Sequence, residues 1–311
     1  MKAQLSIGLP IYNGAEFLKE AIESLINQTF EDFEIVISDN ASTDQTQQIC
    51  RYYADLDPRI RYYRCKQNMG AAWNYNRVFE LSYGEYFKWA AHDDYCAPSF
   101  FERCVDALDR DKNIVLCYPR TIIVDEIKGK TRKYHDRFNL SSPQPYQRYR
   151  RYHKQIRGGH ECHPVFGLIR SDVLKRTSLI KAYASSDLTL LGELALYGRF
   201  HEVPEFLFFK RNHANTSIHS HHSLRSLAVW FDPANAGKLQ LNKWIMFLEY
   251  MRSIRRSPIS IWQKTLCRMQ MGRWFVRHSG YLAKDLAKAA AWPFVPRTFR
   301  SQCRKEMKEC M

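Results

Sequence analysis

The chain has 311 residues, 45% apolar content and a formal net charge of +15, which suits one catalytic-sized domain with ample core and an appendage. No apolar run approaches the ~18 residues that span a bilayer, and no charged-then-apolar leader is expected ahead of Leu5. Nine cysteines, an odd number with no Cys-x-x-Cys pair, predict reduced thiols in a cytoplasmic setting.

In chain order, Leu5-Ser6-Ile7-Gly8-Leu9-Pro10-Ile11 reads as a strand ending in the turn Tyr12-Asn13-Gly14. A helical pattern follows, with Phe17, Ala21 and Leu25 on one face. Residues 33–38 form a second strand that runs into Asp39-Asn40-Ala41-Ser42-Thr43-Asp44. Residues 59–64 form a third, and Gln67-Asn68-Met69-Gly70 leads from it into another helix. The fourth, Phe87-Lys88-Trp89-Ala90-Ala91-His92-Asp93-Asp94, is a near-continuous apolar run closed by two adjacent carboxylates.

This alternation predicts a parallel sheet whose polar loops all lie on one edge. Ligands bind outside the carboxyl ends of such strands, and hard oxygen donors there suit Mg²⁺ or Mn²⁺ bridging to a substrate phosphate. A helix N-cap is the other reading of Asp94, which lies shortly before Pro98 and an amphipathic stretch over 99–108.

Four motifs, Pro10-Ile11-Tyr12-Asn13-Gly14, Ser38-Asp39-Asn40-Ala41-Ser42-Thr43-Asp44, Asn68-Met69-Gly70 and His92-Asp93-Asp94, occur in this order. Over roughly residues 5–217 the chain resembles the inverting family 2 glycosyltransferases of the GT-A fold. The resemblance implies a Rossmann-like, mostly parallel α/β sheet flanked by helices. It also implies a donor site in which Asp39 accepts from the nucleotide base and Pro10, Tyr12 and Asn13 form the floor, with Ile11, Asn40, Asp44, Asn68 and Gly70 in the same loops. Asp93 would reach the ribose or a metal, and Asp94 would hold the divalent ion, Mn²⁺ or Mg²⁺, on the donor diphosphate. The family commonly shows Asp-x-Asp-Asp, whereas this chain has Ala91 at the first acidic position. His92 reads either as an extra ligand or as a satisfied loop histidine.

Ser185-Ser186-Asp187 opens a helical run over 188–196. In the family an acidic pair opens this helix and its Asp is the general base. Asp187 matches that position, while Ser186 replaces the usual Glu. Asp187 also reads as a helix cap, and the two roles are compatible. Further on, Arg211 and His213 fit the family's Arg-x-His-x-x-Ser sequence, which places the histidine near the metal or diphosphate, whereas Ser217 lies one residue beyond the usual spacing. An exposed loop histidine is the alternative for His213. The cluster His219, His221 and His222 has no cysteine or carboxylate at ligand spacing and reads as solvated. The stretch from Tyr134 to His163, rich in Tyr, Arg and His, is expected to frame the acceptor.

Positive charge is concentrated late, with 18 basic and 5 acidic side chains in residues 211–311 against 9 and 14 in residues 1–100. The C-terminal hundred residues read as basic amphipathic helices with Trp244, Phe247, Trp262, Trp274 and Phe275 among Arg252, Arg255, Arg256, Arg268, Arg273 and Arg277. Such helices suit an anionic membrane surface, or else pack on the catalytic domain with solvated arginines.

The expected division is therefore a catalytic domain over 1–217, its nucleotide half over 1–100 and its acceptor half over 101–217, followed by a basic helical region over 218–311. The expected activity is transfer from a nucleotide-sugar, UDP-linked, to a glycan or lipid-linked acceptor, by a cytoplasmic or peripherally membrane-bound enzyme. A nucleic-acid-binding protein is the rival reading, but no recognisable binding motif organises the charge and it leaves the strand-end carboxylates unexplained, so no nucleic acid is expected. A nicotinamide-dependent oxidoreductase lacks its Gly-x-Gly-x-x-Gly turn.

Overall fold

The computed structural model describes residues 3–158, 160–216 and 223–294. Its first half is a run of alternating elements: β1 (Leu5–Ile11), α1 (Ala15–Ile26), β2 (Phe33–Asp39), α2 (Thr46–Leu56), β3 (Ile60–Arg64), α3 (Ala71–Glu80) and β4 (Tyr86–Trp89). The strands pair in parallel in the order β3-β2-β1-β4, so their carboxyl ends share one edge. Every residue of β1 and β2 is buried, which is why both read as continuous apolar runs. On α1 the buried stripe is Leu18, Ala21, Ile22 and Leu25, at i, i+3, i+4 and i+7. Phe17, expected on that stripe, is instead half-buried, with its ring 4.6 Å from that of His213.

The second half adds β5 (Tyr95–Cys96), α4 (Phe100–Arg110), β6 (Ile114–Asp125), β7 (Lys130–Tyr134), α5 (Pro145–Gln155), β8 (Leu168–Arg170), α6 (Ser171–Leu174), α7 (Ser186–Tyr197) and β9 (Arg199–Asn212). The sheet continues β4-β8-β6-β9-β5, with β7 on β6. Here β8 runs antiparallel to both neighbours while β6 and β9 are parallel, so this half is mixed. The apolar stretch over 165–169 is a strand only from Leu168, because His163–Phe166 turns as a 3₁₀ helix. Pro164 inside that turn lacks a ladder N–H. Gly167 then crosses β6 so closely that a Cβ would lie 2.5 Å from the Cys117 carbonyl. Ser99, not Asp94, occupies the N-cap of α4.

Three helices complete the described chain: α8 (Leu224–Phe231), α9 (Asn242–Arg256) and α10 (Ile261–Ala291). Met246, Tyr250 and Ile254 of α9 and Cys267, Met271, Trp274 and Leu282 of α10 share a core with Tyr149 and Tyr152 of α5 and Leu190, Leu191 and Leu194 of α7. Burying side chains such as Ile254 and Met271 contributes roughly 1.5–3 kcal/mol each. The helices are therefore firmly seated. An ion pair reinforces the contact: Arg256 Nε and Nη2 each lie 3.0 Å from an oxygen of the buried Glu193 on α7, and Nη2 reaches Glu249 at 2.9 Å. Arg148 of α5 closes the far end of α7 by donating to the Ala195 and Leu196 carbonyls. Of the aromatics offered to either a membrane or a core, Trp274 is buried, Trp244 and Phe247 pack against the core, and Trp262 is exposed.

Candidate active site

The loops after β1, β2 and β3 are stitched into one rim by their own polar side chains. Asp39, fully buried at the end of β2, accepts from the Ser42 N–H at 2.8 Å, the Tyr62 hydroxyl at 2.8 Å and Arg64 Nη1 at 2.5 Å. Asn13, at φ 50°, donates its N–H to Ser42 Oγ and accepts the Thr43 N–H on Oδ1. The Asp44 carboxylate joins two helix starts, accepting from Ala15 N and Thr46 N at 3.0 Å each. Burial alone would raise its pKa, but the bonds from Thr46 and Ala15 outweigh that and hold it below the usual range.

Asn40 ties β2 to the next loop, donating to Asn68 Oδ1 at 2.8 Å and the Gly70 carbonyl at 3.2 Å and accepting from Met69 N at 2.9 Å. Gly70 is required there: its φ is +87° and a Cβ would lie 2.6 Å from the Phe231 carbonyl of α8. Pro10 and Ile11 are buried in β1, Tyr12 is half-buried and Asn13 is exposed at the lip.

The turn after β4 meets this rim, since a Cβ on Gly14 would lie 2.6 Å from His92 Cδ2. Burial lowers the pKa of the His92 ring, although Asp93 pulls it upward. Asp93 Oδ2 lies 3.1 Å from His213 Nε2, while Asp94 Oδ1 accepts from Lys210 Nζ at 3.1 Å and Arg211 N at 2.9 Å. Arg211 also donates to the Asp93 carbonyl, pairs with Glu20 and Glu126, and lies over the Phe17 ring. The end of β9 thus clamps the carboxylate turn.

The two acids are driven apart. Burial opposes ionisation of Asp93, but His213 and Lys210 hold its carboxyl well below the usual range. Burial pushes Asp94 up to about 6, against the pull of Lys210 and with the push of Asp93. Asp94 Oδ2 is buried and has no hydrogen-bond partner among the described residues. A hard oxygen without a partner beside a second carboxylate fits a divalent ion. Among the described residues no set of three His, Cys, Asp or Glu side chains makes a complete cage. Such an ion would therefore share its shell with ligand oxygens and water, as Mg²⁺ prefers.

Asp187 stands in the first turn of α7, after Ser185 at φ 67°. Burial raises its pKa, while hydrogen bonds from backbone N–H groups at Leu188 and at its own position, and from the Cys162 thiol, pull it down. The N-cap of α7 is Ser185, which makes no side-chain cap hydrogen bond, so Asp187 is the second helical residue and not the cap. Tyr75 of α3 is half-buried, and burial first, then the negative charges of Asp93, Asp94 and Asp187, push its phenol up. Beyond Cys162, Asp136 is buried with His160 Nε2 3.1 Å from Oδ1, and burial together with Glu202 and Glu161 pushes its carboxyl up to about 8.

A family model described as glycosyl transferase family 2 matches residues 6–177, more than half of the chain. The chain belongs to glycosyl transferase family 2. An uncharacterized glycosyltransferase of Rickettsia prowazekii is 30% identical over 207 residues, covering 66% of this chain and 58% of that one. The chain spans 21% of the length of a further relative, from Rickettsia conorii. Among solved structures, Staphylococcus aureus TarS 1–349 in complex with UDP-GlcNAc aligns with a TM-score of 0.59 at 14% identity, over 99% of this chain and 79% of that one. A mannosyltransferase of Pyrobaculum calidifontis, in complex with GDP-Man and Mn²⁺, aligns with a TM-score of 0.52 at 14% identity, over 100% and 86%. The fold is that of the GT-A glycosyltransferases.

Within this family 2 fold, several residues of the site carried no motif of their own. Lys210 sits directly before the Arg211 and His213 motif, and its signal was a cation closing the otherwise apolar run Phe206-Leu207-Phe208-Phe209. Tyr75 and Cys162 had none, since their relation to the carboxylates is purely tertiary. Ser217, His219, His221 and His222 lie outside the described residues. The seven described cysteines are free thiols. Among the described residues no helix is long and apolar enough to cross a membrane.

Proposed function

We propose that the chain transfers a sugar from a nucleotide-sugar, a UDP-sugar in this reading, to a hydroxyl of a glycan or lipid-linked acceptor, with inversion at the anomeric carbon. The observation that carries this reading is the carboxylate turn, where Asp93 meets His213 and Asp94 keeps one oxygen without a partner among the described residues, beside the rim built by Asn13, Asp39, Asn40, Asp44, Asn68 and Gly70. The base and ribose lie along Pro10 to Asn13 and Asp39, and Asp93, oriented by His213, faces the ribose side. Asp94, with His213 nearby, would hold Mn²⁺ or Mg²⁺, which when bound would supply positive charge to the departing diphosphate.

Asp187 takes the proton from the acceptor hydroxyl. The oxygen so freed attacks the anomeric carbon from the face opposite the diphosphate, and the bond to the diphosphate breaks with its electron pair leaving on the nucleotide. A carboxylate raised by burial is a stronger base than an exposed one, and a positioned base contributes about 10²- to 10⁴-fold. Tyr134, Asp136, His160 and His163 frame the acceptor side. The catalytic unit is assigned to residues 1–217 and the basic helical region to 218–311. Incubating the purified protein with a panel of nucleotide-sugars and Mn²⁺ and measuring nucleoside diphosphate release tests the reading, and no release with any donor overturns it.

The outward face of α10 supports a peripheral place on an anionic membrane. Trp262, Met269 and Val276, seven residues apart, form an exposed stripe, with Trp262 65% and Val276 73% exposed. Arg268, Arg273, Arg277 and Lys284 are exposed around it, and the helix's single acid, Asp285, is buried. Pairing two such faces would oppose like charges, whereas anionic lipid head groups complement them. This reading places the enzyme on the cytoplasmic face, within reach of a lipid-linked acceptor.

A further inference from the structure

Lys210 is a cation at a place where a metal would also sit. Its ammonium donates to Asp94 Oδ1 at 3.1 Å and to the Arg211 carbonyl at 3.1 Å. An ammonium has three N–H donors, so one remains without a protein partner among the described residues. The side chain is not sealed in, being 26% exposed against 2% for Asp94. Its charge is felt on both sides of the site, at Asp93 and at His163. Ala91 removes one carboxylate from the turn, so Lys210 neutralises a larger share of the acidic charge that remains.

We propose that Lys210 changes partner with the donor, binding Asp94 in the free enzyme and a phosphate oxygen of the nucleotide diphosphate once a divalent ion has taken Asp94. This rests on the glycosyl-transfer reading and adds to it a residue that contacts the leaving group. Two cations cannot share one carboxylate at close range without repulsion, so Lys210 competes with an ion that arrives alone. When the ion arrives with a diphosphate, the anionic phosphates give the displaced ammonium a new charge-assisted hydrogen bond. The lysine thereby favours the ion and nucleotide together over either alone.

The test is a pair of binding measurements on Lys210→Met with effects of opposite sign. Calorimetry with Mn²⁺ alone is expected to give tighter binding to the variant than to the parent. Calorimetry with UDP at saturating Mn²⁺ is expected to give binding weaker by about ten- to a hundredfold, the range of a hydrogen bond between charged groups. A side chain that merely braced the turn would move both in the same direction. Equal UDP affinity in parent and variant overturns the inference while leaving the transferase reading intact. A parent that binds no nucleoside diphosphate overturns that reading and this one with it. Lys210→Arg, which keeps the charge, is expected to hold UDP within a few-fold of the parent. Lys210→Gln gives the same paired comparison if the methionine variant fails to fold.

Discussion

Asp93 and His213 stand 120 residues apart in the chain and meet at 3.1 Å. That contact ties the end of β9 to the turn that follows β4, since His213 directly follows the last residue of β9. The consequence is a carboxylate whose orientation is fixed by a distant strand and whose neighbour, Asp94, is left with one oxygen free.

Asp187→Asn is expected to lower sugar transfer by about 10²- to 10⁴-fold while leaving UDP affinity within a few-fold of the parent. Nucleoside diphosphate release and calorimetry on the same preparations check this. Because burial raises the Asp187 pKa, the acid limb of the rate profile is expected above the usual carboxylate range. Activity falls as pH drops through that limb, since the base is lost on protonation. Undiminished turnover in the variant removes Asp187 from the mechanism.

Asp94→Asn removes the one oxygen poised for an ion. UDP binding is expected to weaken severalfold or more in the presence of Mn²⁺ and not to weaken in EDTA, where Lys210 is no longer held by a carboxylate. A loss of the same size in both conditions assigns Asp94 a purely structural part.

Substituting Trp262→Ser and Val276→Asp together is expected to release the protein from phosphatidylserine-containing vesicles in a sedimentation assay. The melting temperature should be unchanged, because both side chains are exposed. Truncation after residue 240 is a poorer test, as it strips Tyr250 and Trp274 from the core. Persistent sedimentation of the double variant rules out this face as the docking surface.

Asp136 offers a stability test. Its carboxyl is held up to about 8 in the folded chain, against about 3.9 when unfolded. The unfolded state therefore binds fewer protons between those values, and the contribution of Asp136 to stability is full below about pH 4 and declines as pH rises toward 8. Asp136→Asn lacks this titration. The melting temperature of the variant relative to the parent should climb steadily from pH 4 to pH 8, and a flat difference would show that Asp136 titrates normally.

The turns after β1 to β4 were legible in the sequence because each is local: a buried apolar run followed at once by polar residues marks a strand end whatever the rest of the chain does. The partners of those turns were not. The Arg211 N–H reaches Asp94 across 117 residues, and no periodicity encodes that. Phe17 was misplaced on α1 because Ala21 and Leu25 do lie on the buried stripe and Phe17 stands one residue before its start at Leu18, and its ring lies against Arg211 and His213. The basic helices gave their amphipathic pattern plainly, but an apolar stripe does not say whether a core or a lipid covers it. In α10 the stripe through Cys267, Met271 and Trp274 meets the core, while the one through Trp262 and Val276 does not.

The ion pair between Arg256 and Glu193 bears on how such enzymes can be recombined. Glu193 lies on the same helix that presents Asp187, so α9 steadies the scaffold that holds Asp187 in place. A chimera of two relatives cut after β9 would leave the buried Glu193 with only its Ser178 bonds in place of the Arg256 guanidinium, a loss of about 3–5 kcal/mol for a broken buried pair. Workable junctions would have to keep α7 and α9 from the same parent, which makes the two helices a single heritable cassette.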